Sequence, residues 1–395
     1  MCMERRSFLK GAGVVTVLVA GGVVWRAHDQ GVFSVGQGPA YEPWRDWREQ
    51  PGEGSMALVR AAILAASPHN TQPWLFKVTD SWIELYIDTR RNVGALDPYL
   101  REEHIGMGCA LENLLLAAAA NGYLATVALA PGKLGPIPAE PIPRLVARVE
   151  LAPGKREDSE LYEAIPRRHT NRGKYDIHKP LQAEFVEALS RWVSDDANVR
   201  VFLFTDEEKR KRIVDISSAA NSEIYADPAV EAGSDRWIRV RWSTVEKYRD
   251  GLTVDAAGLP PMGTAIAKTM PLWMLKWVAS RGPKDGYSKL MLSAPLVGIL
   301  AVPDRYDQEN CLRAGRVWQR AHLLATARGV AGRPCNESVE MIDHEKAQGK
   351  PPQRAGLLAE VLGDPAWQPT FVFYMGYPLL PARASPRRSI DRVVL

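Results

Sequence analysis

Arg167-Arg168-His169-Thr170-Asn171-Arg172 gathers three guanidinium groups into six residues, with Lys174 close behind, and Arg387-Arg388 places another pair near the chain end. Guanidinium forks bind phosphate or carboxylate oxygens through paired, charge-assisted hydrogen bonds, each worth about 1.5 to 3 kcal/mol. A solvated surface charge run would have the same composition. A different set of polar groups sits in Ser67-Pro68-His69-Asn70-Thr71-Gln72-Pro73-Trp74. There Asn70 and Gln72 carry amide donors and acceptors on a turn bounded by two prolines, neither of which can continue a helix. The plainer reading of this turn is a helix-to-strand connection whose amides satisfy backbone groups.

The elements that must position these residues follow from pattern. Residues 57–66 predict a helix ending at the Ser67 turn. Trp74-Leu75-Phe76-Lys77-Val78 and Trp82-Ile83-Glu84-Leu85-Tyr86-Ile87 predict a strand pair across Thr79-Asp80-Ser81. Residues 103–121 are rich in Ala and Leu on nearly all sides and predict a buried central helix. Strands are expected at 125–130 and 144–151, and in the second half at 199–204, 296–302 and 370–377. The stretch from Gly108 to Gly122 aligns without gaps with Gly315 to Gly329. Glycines bracket both copies and their apolar positions coincide, as in one fold built twice.

The Ser67 turn resembles the flavin-contacting P-S-x-x-N-x-Q-P-W loop of the nitroreductase family. Arg168, Thr170 and Arg172 match that family's R-x-S-x-K/R segment, and Pro386-Arg387-Arg388 resembles its closing segment. The resemblance implies an α+β nitroreductase-like fold of mainly antiparallel sheets packed with helices, with FMN as cofactor. It carries flavin contacts onto Ser67, Pro68, His69, Asn70, Gln72, Arg168, His169, Thr170, Arg172, Arg387 and Arg388. Ala66 stands where the family usually has proline. The first half has the loop without the arginines and the second has the arginines without the loop, so one complete set exists per chain. That distribution resembles the Acg-like branch, in which duplicated halves form a pseudo-dimer around a single FMN beneath a lid. The expected division is a leader and linker at 1–40, a first half at 41–165, and a second half at 166–395 with an insertion at about 229–287. The insertion carries Trp237, Trp242, Trp273 and Trp277, which must cover either a cofactor or neighbouring core.

Composition removes other classes. A formal charge of +4 without one long basic run gives no reason to invoke nucleic acid. Cys2, Cys109, Cys311 and Cys335 lack C-x-x-C spacing, so no zinc site is expected, while a Cys109-Cys311 or Cys311-Cys335 bridge stays open. Glu4-Arg5-Arg6-Ser7-Phe8-Leu9-Lys10 resembles a twin-arginine export signal. The apolar run from Gly11 to Trp25 falls short of the about 20 residues a membrane span needs. The expectation is a folded, exported flavoprotein, periplasmic or tethered to the membrane by its leader. It would pass electrons to a small acceptor such as a nitroaromatic or quinone, with no side-chain nucleophile, acid or base assigned. Its rival is a flavin-sequestering or sensing protein whose lid blocks nicotinamide.

Overall fold

A computed structural model describes residues 24–48, 54–193, 196–271, 274 and 286–395. The twin-arginine leader, Cys2, Trp273 and Trp277 lie outside them.

In the first half, helix α1 (Met56–Ala62) leads through the Ser67 turn into strands β1 (Trp74–Val78) and β2 (Trp82–Asp88). The hairpin closes where the Thr79 amide donates to the Trp82 carbonyl at 2.9 Å and the Thr79 hydroxyl accepts from the amides of Ser81 and Trp82. Ile83, Leu85 and Ile87 alternate inward and are buried, as the period of a strand requires. Helix α2 (Arg101–Ala120) follows, then β3 (Tyr123–Leu129) and β4 (Pro143–Pro153). These strands form one antiparallel sheet in the order β1-β2-β4-β3.

The second half repeats this plan. Helix α3 (Ala183–Val193) precedes β5 (Arg200–Phe204), and helix α4 (Glu207–Ile224) follows it. Next come β6 (Leu296–Val302), helix α5 (Gln308–Ala327), β7 (Ala331–Pro334), helices α6 (Glu337–Ala347) and α7 (Gln353–Leu362), and β8 (Gln368–Gly376). The sheet order is β5-β6-β8-β7, again antiparallel throughout, so both halves follow first-second-fourth-third with a long helix after the second strand. Strand β6 is buried along its whole length, and the Phe373 ring of β8 lies over Gly298, where an added Cβ would meet it at 2.0 Å.

Helices α2 and α5 pack against each other at the centre of one core shared by both halves. Across that contact Glu112 pairs with Arg316 at 2.9 Å and Arg320 at 2.5 Å, and Gln319 donates to Asn113 at 2.8 Å. The end of the chain then returns to the first half. The Phe76 amide donates to the Val393 carbonyl and the Leu395 amide to the Phe76 carbonyl, both at 2.8 Å, which extends the β1 edge.

Several expectations shift. The first helix stops at Ala62, short of 66. Strand β7 was not anticipated, because four residues carrying Gly and Pro give no alternating pattern. Where β1 and β2 are joined by a tight turn, β5 and β6 are joined by residues 205–295, which include α4 and the 229–287 stretch. Cys109, Cys311 and Cys335 are all buried free thiols, so neither bridge forms.

Candidate functional site

Three segments far apart in sequence meet around a cavity of about 290 Å³ between the halves. The Ser67 turn forms one wall. His69, Asn70 and Gln72 adopt left-handed φ values of 45°, 56° and 52°, conformations that persist only where surrounding contacts fix them. Those contacts are visible. Asn70 donates to the carbonyls of Gly251 at 3.1 Å and Pro386 at 3.0 Å, and accepts from Arg387 at 2.7 Å. Gln72 donates to the Arg249 carbonyl at 2.8 Å and accepts from the Arg388 amide at 2.8 Å. Ser67, Pro68, His69 and Asn70 line the cavity, whereas Gln72 sits fully buried behind the wall and fastens the turn to the insertion and the C-terminal arm.

The basic residues form the next wall. Arg168 donates to the Leu64 carbonyl at 3.1 Å, Arg172 to the Ala256 carbonyl at 3.3 Å, and Arg387 to the Ala65 carbonyl at 3.0 Å. Among the described residues no carboxylate pairs with any of the three. Buried Nε atoms of Arg168 and Arg387, and Nδ1 of His169, have no hydrogen-bond partner. Burial pushes Arg168 down to about 10. Burial, then Arg333, pushes Arg172 down to about 10. Arg387 lies well below the usual arginine range through burial and the adjacent charges of Arg168 and Arg172. Two buried guanidiniums with unused donors, beside the half-buried Arg172 that repels them, are a set of groups that could hold a multiply charged anion. Trp44 closes this end, with the Arg387 guanidinium 4.5 Å from its ring centre and the His169 ring packed edge-on at 4.6 Å. Thr170 also lines the cavity. Arg388 turns away: its guanidinium donates to the Gln72 carbonyl at 3.0 Å and to the Arg392 carbonyl. Of two neighbouring arginines, one faces the cavity and the other ties down the arm.

Sequence reasoning missed the remaining lining. Arg333 comes from β7, Glu102 and Cys109 from α2, Tyr225 from the end of α4, and Glu337 and Glu340 from α6. The cavity therefore has a basic end and an acidic end. A signal for Arg333 was present, since it follows the repeated helix by a few residues. Glu102 and Glu340 gave none, being ordinary acidic residues in first turns of helices.

The insertion contributes Leu252 to the lining, and Ser234 meets His69 Nε2 at 2.9 Å. Its described tryptophans cover protein. Trp237 is buried among Val93, Leu96, Ile224 and Met341 and donates to the Asn92 carbonyl at 2.8 Å. Trp242 stacks on Tyr41 with centroids 6.1 Å apart.

No protein-family model matches the sequence. The chain is 25% identical over 341 residues to Putative NAD(P)H nitroreductase Rv3131 of Mycobacterium tuberculosis, covering 85% of this chain and 90% of that protein. It is 26% identical over 346 residues to Putative NAD(P)H nitroreductase acg of the same species, covering 85% and 94%. Among solved structures, the FMN-dependent nitroreductase NfnB from Mycobacterium smegmatis in complex with NADPH aligns at 16% identity over 59% of this chain and 97% of its own, with a TM-score of 0.37. The curated relatives support a nitroreductase-type oxidoreductase.

Proposed function

We propose that this chain is an FMN-binding oxidoreductase of the nitroreductase family, a fused pseudo-dimer holding one flavin. The observation that carries the reading is the trio Arg168, Arg172 and Arg387, which line the cavity without a carboxylate partner among the described residues, Arg168 and Arg387 being buried with unused Nε donors. These residues fit a phosphate dianion. Arg168 and Arg387 would hold it, Arg172 would offset negative charge on the reduced ring, and Ser67, Pro68 and His69 would bound the ring. The flavin would supply transfer of two electrons to a nitroaromatic, quinone or similar small acceptor, while the protein binds, orients and excludes water.

The sequestering alternative keeps one supporting observation, the clamp by which Ser234, Arg249 and Gly251 of the insertion hold His69, Gln72 and Asn70. A covering fixed at three points would slow entry of a nicotinamide donor. Export by the twin-arginine route is proposed from the sequence of residues 4–25, and exchange of Arg5 and Arg6 for lysine should retain the protein in the cytoplasm.

The deciding experiment is the visible spectrum of the purified protein, followed by anaerobic addition of NADH, NADPH and dithionite. One flavin per chain, reduced by a nicotinamide donor or by dithionite and reoxidised by a quinone, is expected. Reduction by dithionite without turnover selects the sequestering reading. A protein that stays colourless after reconstitution with FMN overturns both.

A further inference from the structure

The acidic end of the cavity is built as specifically as the basic end. Glu102 lies in the first turn of α2 and Glu340 in the first turn of α6, and both line the same cavity as Arg168, Arg172 and Arg387. Arg101 donates to Glu102 at 3.2 Å, and Glu337 accepts from Tyr287 at 2.7 Å. Glu340 is buried beside them. It is 6% exposed and borders the cavity. A buried carboxyl bordering a cavity is placed either to meet a ligand or to pass on a proton.

The groups around Glu340 decide between these. Facing it are Glu102 and Arg101 of α2, Asp97 from the loop before α2, Glu337 on its own helix, the Tyr225 hydroxyl from the end of α4, and the Cys335 thiol just after β7. Negative groups outnumber the single nearby cation. Arg101 is itself engaged by Asp343 at 2.7 Å. Burial, then Glu102 and Glu337, push Glu340 well above the usual carboxylate range, and burial pushes Glu102 up to about 8. Burial and mutual repulsion thus favour the protonated forms of Glu102 and Glu340, which can donate protons.

Resting on the reading above, we infer that Glu340 is the proton donor to the acceptor oxygen, and that Glu102 is the neighbouring carboxyl that replaces its proton. For a quinone the balance is closed. A bound, reduced flavin would supply two electrons and one proton. The second proton leaves Glu340 as its O–H bond breaks and an O–H bond forms on the quinone oxygen, giving the hydroquinone and a Glu340 carboxylate. That carboxylate takes a proton from Glu102, which regains one from water. The cavity thus separates its tasks: the cationic end holds an anion, and the acidic end serves neutral acceptors that must be protonated.

The test uses full-length, flavin-loaded protein reduced with dithionite. Reoxidation is followed by stopped flow with benzoquinone, which needs protons, and with ferricyanide, which takes electrons alone. Glu340→Gln should slow the benzoquinone reaction by at least about tenfold, general acids commonly contributing 10²–10⁴. It should also remove the fall in that rate at alkaline pH while leaving the ferricyanide rate unchanged. Glu340→Asp should restore part of the benzoquinone rate. A second readout needs no flavin: the infrared carbonyl band of a protonated carboxylic acid should be present in the wild-type protein at neutral pH and reduced in Glu340→Gln. Equal slowing with both acceptors, no slowing with either, loss of flavin from the variant, or absence of the infrared band would each overturn the assignment. A protein that binds no FMN at all would instead overturn the functional reading on which it rests.

Discussion

Gly108 and Gly315 face each other across the contact between α2 and α5, and each is crowded by the other helix in the same way. A Cβ on Gly108 would lie 2.1 Å from the Leu312 carbonyl oxygen, and one on Gly315 would lie 2.0 Å from the Ile105 carbonyl oxygen. Leu312 and Ile105 are separated by the same sequence offset as the glycines. Position i on one helix meets position j on the other and j meets i, the self-complementary arrangement of a two-fold contact, here within one chain.

Gly315→Ala should therefore destabilise the protein, although alanine favours a helix by about 1 kcal/mol over glycine. Overpacking against a backbone carbonyl costs about 1 to 3 kcal/mol or more, because no side chain can rotate out of the way. A thermal melt by circular dichroism should show the midpoint lowered by several degrees. An unchanged or raised midpoint would mean that the helices separate freely at this point.

Arg168→Ala should weaken FMN binding by roughly 10- to 100-fold, on the basis of about 1.5 to 3 kcal/mol for a lost charged contact. Riboflavin, which lacks the phosphate, should bind almost as before. Titration calorimetry with both ligands separates the cases, and equal weakening of the two would assign Arg168 to support of the wall through its bond to the Leu64 carbonyl.

His69 is pushed down to about 4 by burial, with Arg172 adding to the effect. Its folded value lies below its unfolded one, so the unfolded chain binds the extra proton as pH falls. The stability this costs begins near pH 6.5, grows by up to about 1.4 kcal/mol per pH unit, and levels off below the folded value. Glu102 and Glu340 act with the opposite sign, their folded values being raised, but they do so equally in a variant that keeps them. The difference in unfolding free energy between His69→Gln and wild type should thus move in favour of the variant from pH 7 to pH 5 in urea titrations. A difference that stays constant over this range would show His69 protonating freely in the fold.

Trp237→Ala should cost about 3 to 5 kcal/mol, the usual range for removing a buried tryptophan. It should melt early while still binding flavin at low temperature. Were Trp237 instead a lid over the ring, the midpoint would hold and reduction by NADPH would accelerate.

Local chemistry determined much of this molecule. The hairpin from Trp74 to Asp88, the buried helix α2 and its repeat α5 were legible because alternation, bracketing glycines and apolar composition act over a few residues and need no distant partner. The clustering of arginines at 167–172 and at 387–388 was equally visible in the sequence, though composition alone did not separate an anion-binding wall from a solvated charge run. What side chains do once the halves meet was decided by tertiary structure. Arg387 and Arg388 are adjacent, yet one faces the cavity and the other binds Gln72, because successive side chains of the arm leave it in different directions. Gln72 belongs to the recognised loop but is spent on Arg249 and Arg388, residues supplied by segments far along the chain. Glu102 and Glu340 acquire their raised proton affinity only where two helix starts from different halves converge, since desolvation and mutual repulsion exist there and nowhere in the sequence of either helix alone.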